Sequence, residues 1–354
     1  MGTTVINKKR KKSRLRIDRI FLCIFILALI LTCTIYVIHH KNETSINIQT
    51  YDTFQNIRAS LISDTIEETP PEDNTIKLDY PQNLLNNLSP DELSAQYVYI
   101  LDKTNNQILF DKNSTSMCYP ASTTKILTSI VAIEYINLDT IFTVGTEINF
   151  VEEGSSLAYL VQGETISLKD LLYGLMLPSG NDAGYTIAVN VARIVSGNAL
   201  LTDNEAVVYF VNLMNQKAKE IGMDNSNFIV PDGFHNKNHY VTAQDMMKLL
   251  IYAKNIDILN EITSTQTYSV TVNSGEEHTW INTNKLLDEN SSYYYEGVNG
   301  FKTGFHDHAG NCLIITANIQ NREVYIVMMK SETDTSRYED ATLILDSIYG
   351  NNDI

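Results

Sequence analysis

Three short motifs carry side chains whose types and spacing could perform acyl transfer through a serine. They are Ser122-Thr123-Thr124-Lys125, Ser179-Gly180-Asn181 and Lys302-Thr303-Gly304. Together they supply a hydroxyl nucleophile with an amine nearby, a second hydroxyl with an amide, and a cation beside a hydroxyl. A serine enzyme that uses lysine in place of histidine as its base needs this set of groups. The motifs therefore predict an acyl-transfer serine enzyme.

Ser122 and Lys125 are spaced to act as nucleophile and general base. Residues at i and i+3 of a helix share one face, and a serine hydroxyl reacts only after a neighbouring base removes its proton. Lysine serves as that base when burial or nearby cations lower its pKa. The start of a helix also offers a backbone N–H to an oxyanion. For this pair alone, the alternative is a helix-capping serine beside a solvated lysine.

The second motif follows an amphipathic helix that a proline ends. Ser179 would relay protons between the base and the leaving amine, and Asn181 would bind the substrate amide. A polar turn between two helices is the alternative. Residues 196–198 repeat the sequence Ser-Gly-Asn. Because they follow a predicted helix over 183–195, with the glycine placed like a C-terminal cap, we assign them to structure.

The third motif is expected to end a strand over 298–301. Lys302 and Thr303 at a strand edge could grip a substrate carboxylate, and Gly304 would let the substrate backbone approach closely. An ordinary boundary between a strand and a turn is the alternative. The three motifs are separated by long stretches of chain, so their chemistry depends on a fold that brings them together.

No metal or cofactor is expected. His306 and His308 lie just beyond the third motif, but no carboxylate or cysteine joins them at ligand spacing, so we predict a solvated loop. His235 and His239 stand four apart in a loop that contains Pro-Asp-Gly, and the two-histidine zinc pattern needs a helix.

Predicted elements on both sides of the motifs indicate a mixed scaffold. Residues 97–101 and 107–110 flank a polar tetrapeptide and predict a β-hairpin, and a helix is expected from Pro120. Further helices are predicted over 168–177, 183–195, 206–221, 243–253 and 337–349, and further strands over 268–272, 298–303, 312–318 and 324–329. Strands at both ends with helices between them predict an α/β fold of the α+β type, in which helices flank one antiparallel sheet.

Charge is divided unevenly along the chain. The net charge is −16, yet residues 1–19 hold eight basic side chains against one acidic one. The acidic remainder argues against nucleic acid as a partner. Residues 20–38, from Ile20 to Ile38, are uncharged and long enough to cross a bilayer as a helix. Basic residues before such a span keep that side in the cytoplasm.

The expected organisation is therefore a cytoplasmic tail, a membrane anchor and an extracytoplasmic enzyme. We predict a basic tail over 1–19, a transmembrane signal-anchor over 20–38, a largely disordered stalk over 39–92 and a catalytic domain over 93–350. A cleaved signal peptide is the alternative for the span, although such peptides have an apolar core of about 7–15 residues and a small-x-small site. Cys118 and Cys312 would lie outside the cell, where they could pair.

The region from Leu93 to Gly350 resembles the serine-type D-alanyl-D-alanine carboxypeptidases, the low-molecular-mass penicillin-binding proteins. Beside the three motifs, the likeness rests on blocks at 154–156, 214–218, 231–233, 239–243 and 282–287. The resemblance implies a β-lactamase/transpeptidase-like fold whose motifs meet in one cleft. It also implies covalent binding of penicillin and a role in cell wall biogenesis. The implied partners are β-lactam antibiotics and peptidoglycan stem peptides that end in D-Ala-D-Ala.

The resemblance also assigns roles. Ser122 would attack the carbonyl between the two D-alanines, with Lys125 as general base and Ser179 as proton relay. Asn181, Lys302, Thr303 and Gly304 would bind the substrate, and the backbone N–H groups of Ser122 and Phe305 would form the oxyanion hole. Relatives often have Tyr or His followed by Thr after Lys-Thr-Gly, where this chain has Phe-His.

Two alternatives share this scaffold. A β-lactamase would need a group that rapidly hydrolyses the acyl-enzyme, and the Glu-x-x-Leu-Asn motif of class A enzymes is absent. An inactive cell-wall-binding module would be expected to have lost motif residues, and none is changed here.

Overall fold

Eleven strands and seven α-helices make up the computed structural model, which describes Leu85 and residues 88–350. The strands are β1 Tyr97–Asp102, β2 Gln107–Lys112, β3 Met117–Cys118, β4 Ile141–Thr143, β5 Thr165–Ser167, β6 Val241–Thr242, β7 Thr267–Thr271, β8 Glu277–Ile281, β9 Val298–His306, β10 Gly310–Ile319 and β11 Arg322–Ser331. The helices are α1 Lys125–Tyr135, α2 Leu168–Met176, α3 Asn181–Val195, α4 Asp203–Ile221, α5 Ala243–Ala253, α6 Asp257–Ser264 and α7 Ser336–Tyr349.

Five of the strands form an antiparallel sheet in the order β2–β1–β11–β10–β9. β1 comes from the start of the described region and pairs with β11 near its end, with Tyr97 opposite Met329. β9 lies at the edge of this sheet, so one side of its backbone is free to meet another element or a substrate. The shorter strands form three two-stranded pairs: β3 with β6, β4 with β5, and β7 with β8.

Both faces of the large sheet are buried. Val98 and Ile100 of β1 pack in a core that includes Ala341 and Ile344 of α7. Tyr99 lies on the opposite face, in the core built mainly from α1 to α6. Successive strand residues point to opposite faces, which explains why these strands are nearly continuously apolar. α7 therefore covers one face and the remaining helices cover the other.

The predicted α+β architecture is confirmed, with corrections to single elements. The hairpin of β1 and β2 and the helix over 243–253 are found as predicted. β9 does not end at the third motif but continues to His306, because it pairs with β10 along and beyond the motif. The helix after Pro120 opens with a 3-10 turn, Ala121–Thr124. α6 and β8 were not predicted.

The predicted tail, membrane span and most of the stalk lie outside the described residues. Among the residues that are described, no helix combines the length and apolar character needed to cross a bilayer. Cys118 and Cys312 are buried free thiols.

Candidate active site

Ser122 and Lys125 meet at the junction between the 3-10 turn and α1. Three residues complete one turn of a 3-10 helix, so side chains at i and i+3 are nearly superposed. The Lys125 Nζ lies 3.0 Å from the Ser122 Oγ and donates a hydrogen bond to it. Ser122 makes no capping bond, because the N-cap position of the turn belongs to Pro120. The alternative of a capping serine is therefore wrong for this position.

Lys125 is fully buried, with 0% of its surface exposed. Its Nζ also donates to the Asn181 Oδ1 at 2.6 Å and to the backbone oxygen of Asp232 at 2.7 Å. Burial lowers the pKa of Lys125 to about 8, against the opposing effect of the Asp232 and Asp182 carboxylates. Lysine in this setting can lose its proton near neutral pH, which a solvated surface lysine does not do.

The second motif occupies the tight connection from α2 to α3. Ser179 has a left-handed backbone with φ of +65°, and its buried Oγ has no hydrogen-bond partner within the described region. Gly180 fits where a side chain cannot, since a Cβ there would lie 2.7 Å from the Ala158 backbone nitrogen. Asn181 begins α3, and its N–H donates to the Ser156 carbonyl at 2.8 Å. The connection thus brings the Asn181 amide to the Lys125 Nζ and leaves the neighbouring Ser179 hydroxyl buried with no acceptor or donor in the described region.

The third motif lies within β9 and faces the 3-10 turn. A Cβ on Gly304 would come within 3.0 Å of the Ser122 backbone nitrogen, so only glycine permits this approach. The Thr303 hydroxyl lies 2.6 Å from the Thr283 hydroxyl. Lys302 is 1% exposed, and its Nζ has no hydrogen-bond partner among the described residues. Burial, with the nearby cations Lys125 and Arg337, lowers the pKa of Lys302 well below its usual value.

All three predicted motifs therefore converge on Ser122. The chain is also similar to known proteins. A sequence model of peptidase family S11, described as D-alanyl-D-alanine carboxypeptidase, matches residues 85–333. The chain belongs to the D-alanyl-D-alanine carboxypeptidase family.

Relatives in this carboxypeptidase family show the extent of the match. The chain is 30% identical over 255 residues to the D-alanyl-D-alanine carboxypeptidase DacF of Bacillus subtilis, covering 71% of this chain and 61% of DacF. It is 30% identical over 256 residues to the D-alanyl-D-alanine carboxypeptidase of Streptomyces sp. K15, covering 70% of this chain and 84% of that protein. It therefore spans about three fifths of the length of DacF and more of the Streptomyces protein.

Solved structures show the same fold. The Streptomyces K15 DD-transpeptidase is 29% identical and superposes with a TM-score of 0.66, covering 73% of this chain and 98% of that chain. Penicillin-binding protein D2 of Listeria monocytogenes, solved in a cefotaxime-bound form, is 24% identical with a TM-score of 0.59, covering 74% and 98% of the two chains. The family fold, an antiparallel sheet with flanking helices of the transpeptidase type, is thus shown.

The loop over 231–233 forms a further wall of this carboxypeptidase-family site. The sequence indicated this loop only as one of the segments that resemble the carboxypeptidase family. In the structure, the backbone oxygen of Asp232 accepts a hydrogen bond from the Lys125 Nζ. Gly233 has φ of +85°, and a Cβ there would lie 1.9 Å from the Ala121 oxygen. The Pro-Asp-Gly sequence signals a turn, but sequence does not show which residue its carbonyl meets.

His239 supports the catalytic turn from behind. Its Nδ1 accepts the Ile229 N–H at 3.0 Å, so the other ring nitrogen, Nε2, carries the proton and donates to the Thr124 Oγ1 at 2.8 Å. Burial and the neighbouring histidines lower the pKa of His239 to about 3, which keeps the ring neutral. Both ring nitrogens of His239 are therefore used in hydrogen bonds that hold the turn against the 229–239 segment.

The remaining histidines correct one prediction. His306 and His308 were expected in a solvated loop: His308 does lie exposed in the turn after β9, but His306 ends β9 and is partly buried. The rings of both contact Tyr119. The rings of His235 and His308 stack with their centroids 4.0 Å apart. In the part of the chain that is described, no group of three or more His, Cys, Asp or Glu residues could hold a metal ion.

The repeated Ser-Gly-Asn sequence is structural, as predicted. Ser196 is the C-cap of α3, and its hydroxyl binds the Arg193 carbonyl and the Asn198 N–H. Gly197 follows with φ of +66°, the left-handed conformation typical of helix ends. The same three residue types thus begin one helix at Ser179 and end it at Ser196.

Proposed function

We propose that this protein is a serine-type D-Ala-D-Ala carboxypeptidase that removes the terminal D-alanine of peptidoglycan stem peptides through an acyl-enzyme on Ser122. The observation that carries the proposal is the fully buried Lys125 ammonium group, 3.0 Å from the Ser122 hydroxyl. The similarity to D-alanyl-D-alanine carboxypeptidases of two organisms supports the choice of substrate.

Acylation begins when neutral Lys125 accepts the proton of the Ser122 hydroxyl. The Ser122 oxygen attacks the carbonyl carbon of the penultimate D-alanine, and the backbone N–H groups of Ser122 and Phe305 hold the resulting oxyanion. The peptide C–N bond then breaks as the Ser179 hydroxyl gives its proton to the leaving amine and takes up the proton held by Lys125, and D-alanine departs. Water hydrolyses the ester, releasing the shortened peptide and restoring Ser122.

Substrate binding follows from the groups that the protein leaves free. Lys125 occupies the Asn181 Oδ1, so the Asn181 Nδ2 is the group that can donate to a substrate carbonyl. The Lys302 Nζ is buried without a partner in the described region. An anion beside the buried Lys302 Nζ would favour its charged form, and the substrate's terminal carboxylate, with Thr303 as a second donor, would be that anion. Penicillin carries a carboxylate and a reactive amide, so it would acylate Ser122 in the same way.

We further infer that the enzyme is held at the cell membrane as a single-pass protein. The support is the charge pattern: eight basic residues precede the uncharged segment 20–38. This order places the N-terminus in the cytoplasm and the catalytic domain outside, on a stalk over 39–92. Peptidoglycan lies on that side of the membrane.

Release of D-alanine by the purified full-length chain tests the proposal. Ser179→Ala should lower the release rate at least about 100-fold, the scale of a lost general acid–base group. Ser196→Ala, in the same tripeptide sequence, should retain the wild-type rate. Equal rates in the two variants would contradict the role of Ser179. Rapid hydrolysis of penicillin without release of D-alanine would favour a β-lactamase instead.

A further inference from the structure

Arg337 is a buried arginine that contacts the back of the catalytic strand. It lies on α7, is 7% exposed, and falls four residues beyond the region matched by the family model. Its Nη1 donates to the Gly304 carbonyl at 3.2 Å and to the Cys312 carbonyl at 3.4 Å, while its Nη2 pairs with Asp334. The two terminal nitrogens of the guanidinium are thus hydrogen-bonded to two backbone carbonyls and one carboxylate.

The Gly304 carbonyl belongs to the same peptide group as the Phe305 N–H. In a planar trans peptide the C=O and N–H point in opposite directions. Gly304 is paired with Cys312 of β10, and Arg337 bridges these two carbonyls. The Phe305 N–H therefore points away from β10, across the free edge of β9. Gly304 also packs against the Ser122 backbone nitrogen, so the two expected oxyanion donors lie at the same edge.

We propose that Arg337 is a positioning residue that fixes and polarises the Gly304–Phe305 peptide, so that its N–H serves as an oxyanion donor. The proposal rests on the proposed function. A hydrogen bond from a cation to the carbonyl withdraws electron density from the peptide and strengthens its N–H as a donor. The guanidinium holds the peptide from the side opposite to the substrate.

A direct role in gripping the substrate carboxylate is the competing explanation for a cation beside β9. The geometry opposes it, because both Nη atoms of Arg337 already bind protein oxygens. The Arg337 Nε is buried and has no partner among the described residues. The Lys302 Nζ differs from Arg337 in that it makes no hydrogen bond to any described group, whereas Arg337 makes three through its Nη atoms.

The test uses the full-length protein, benzylpenicillin and the variants Arg337→Met and Arg337→Lys. Arg322→Met is the matched control, since Arg322 binds Asp102 and the Ile348 carbonyl instead of β9. An oxyanion donor is worth about 10²–10³ in rate. We expect Arg337→Met to slow acylation about 10- to 100-fold through partial loss of that donor. Arg337→Lys, which keeps a charge in place, should lie between it and the wild type.

Two further measurements separate positioning from other roles. The infrared stretch of the ester carbonyl in the penicilloyl adduct should shift to higher frequency in Arg337→Met and stay unshifted in Arg322→Met. In a Ser122→Ala background, Arg337→Met should leave the affinity for a D-Ala-D-Ala peptide within about threefold, well under one tenfold step of 1.4 kcal/mol.

Slow acylation with an unshifted carbonyl stretch would show a merely structural role and overturn the proposal. Loss of peptide affinity would overturn it in favour of carboxylate binding. If Arg337→Met does not fold, the same two readouts on Arg337→Lys decide. A wild-type protein that forms no penicillin adduct would instead refute the proposed function itself.

Discussion

Burial sets the protonation state of Lys125, and with it the pH range in which Ser122 can react. Water is excluded from the Lys125 ammonium group, which disfavours its charged form and lowers its pKa to about 8. Below that pH most Lys125 is protonated and cannot accept the Ser122 proton. Acylation is therefore lost as the pH falls through about 8, and it is fully present above.

The first prediction concerns this pH profile. The rate of acylation by benzylpenicillin should rise about tenfold per pH unit below pH 8 and then level off, as expected for a single base. Asp232→Asn should move the midpoint to lower pH, because the Asp232 charge raises the pKa of Lys125. Stopped-flow measurement from pH 5 to 10 checks both effects. A flat profile would contradict the assignment of Lys125 as the base.

A second prediction at this scale concerns Lys302. If its unpartnered ammonium holds the terminal carboxylate, Lys302→Ala should impair substrates with a free carboxylate far more than the same peptides amidated at the C-terminus. A charge-assisted hydrogen bond is worth about 1.5–3 kcal/mol, so the selective loss in kcat/KM should be about 10- to 100-fold. An equal loss on acid and amide, with a shifted pH profile, would instead show that Lys302 tunes the protonation of Lys125.

At the scale of elements, the site depends on how closely a loop and a strand approach the 3-10 turn. Gly233 in the loop and Gly304 in the strand have no side chain to keep these elements away from the turn. A Cβ on Gly233 or Gly304 would lie only 1.9 Å or 3.0 Å, respectively, from the nearest atom of the turn. Such contacts hold the Ser122 backbone in place from two sides. The positions of these glycines are therefore part of the catalytic geometry.

A comparison of Gly233→Ala with Gly222→Ala distinguishes the effect of this close contact from the effect of backbone strain. Both glycines have φ of +85°, but no atom of the described residues lies within 4 Å of a Cβ at Gly222. Each variant should lose about 1 kcal/mol of stability for its left-handed backbone. Gly233→Ala should lose at least about 2 kcal/mol more and acylate more slowly, because the turn must move. Thermal unfolding measures the loss of stability, and the rate of penicillin acylation measures the effect on the turn. Equal losses in the two variants would contradict a role for the close contact at Gly233.

Sequence reasoning predicted local elements better than contacts between them. Apolar periodicity located α5 to the residue and the β1–β2 hairpin to within two, because these patterns are local. It missed α6, a short helix rich in β-branched residues, and β8, whose inward side chains are His278 and Trp280.

The same limit applied to the site. The motifs named the residues that lie around Ser122, because their chemistry is visible in their types. The Asp232 carbonyl and the Arg337 guanidinium were not predicted as partners, since each depends on a contact between distant parts of the chain. The burial of Lys125 likewise follows from packing and not from its neighbours in sequence.

At the scale of the whole molecule, the proposed anchor and stalk make the catalytic domain separable from the membrane. A protease added to intact cells or protoplasts should cut within 39–92 and release an active domain, because chain outside the membrane is accessible there. Immunoblotting and penicillin labelling of the supernatant detect the released domain. A mature protein that begins near residue 40 and is found free in the medium would show a cleaved signal peptide instead.

The most direct test of the account is the mass of the full-length chain after incubation with benzylpenicillin, followed by mapping of the modified peptide. The account predicts one long-lived penicilloyl group, located on Ser122. This group should be absent from Ser122→Ala and retained in Ser196→Ala. An adduct on another residue, or one that persists in Ser122→Ala, would contradict the central claim that Lys125 activates Ser122.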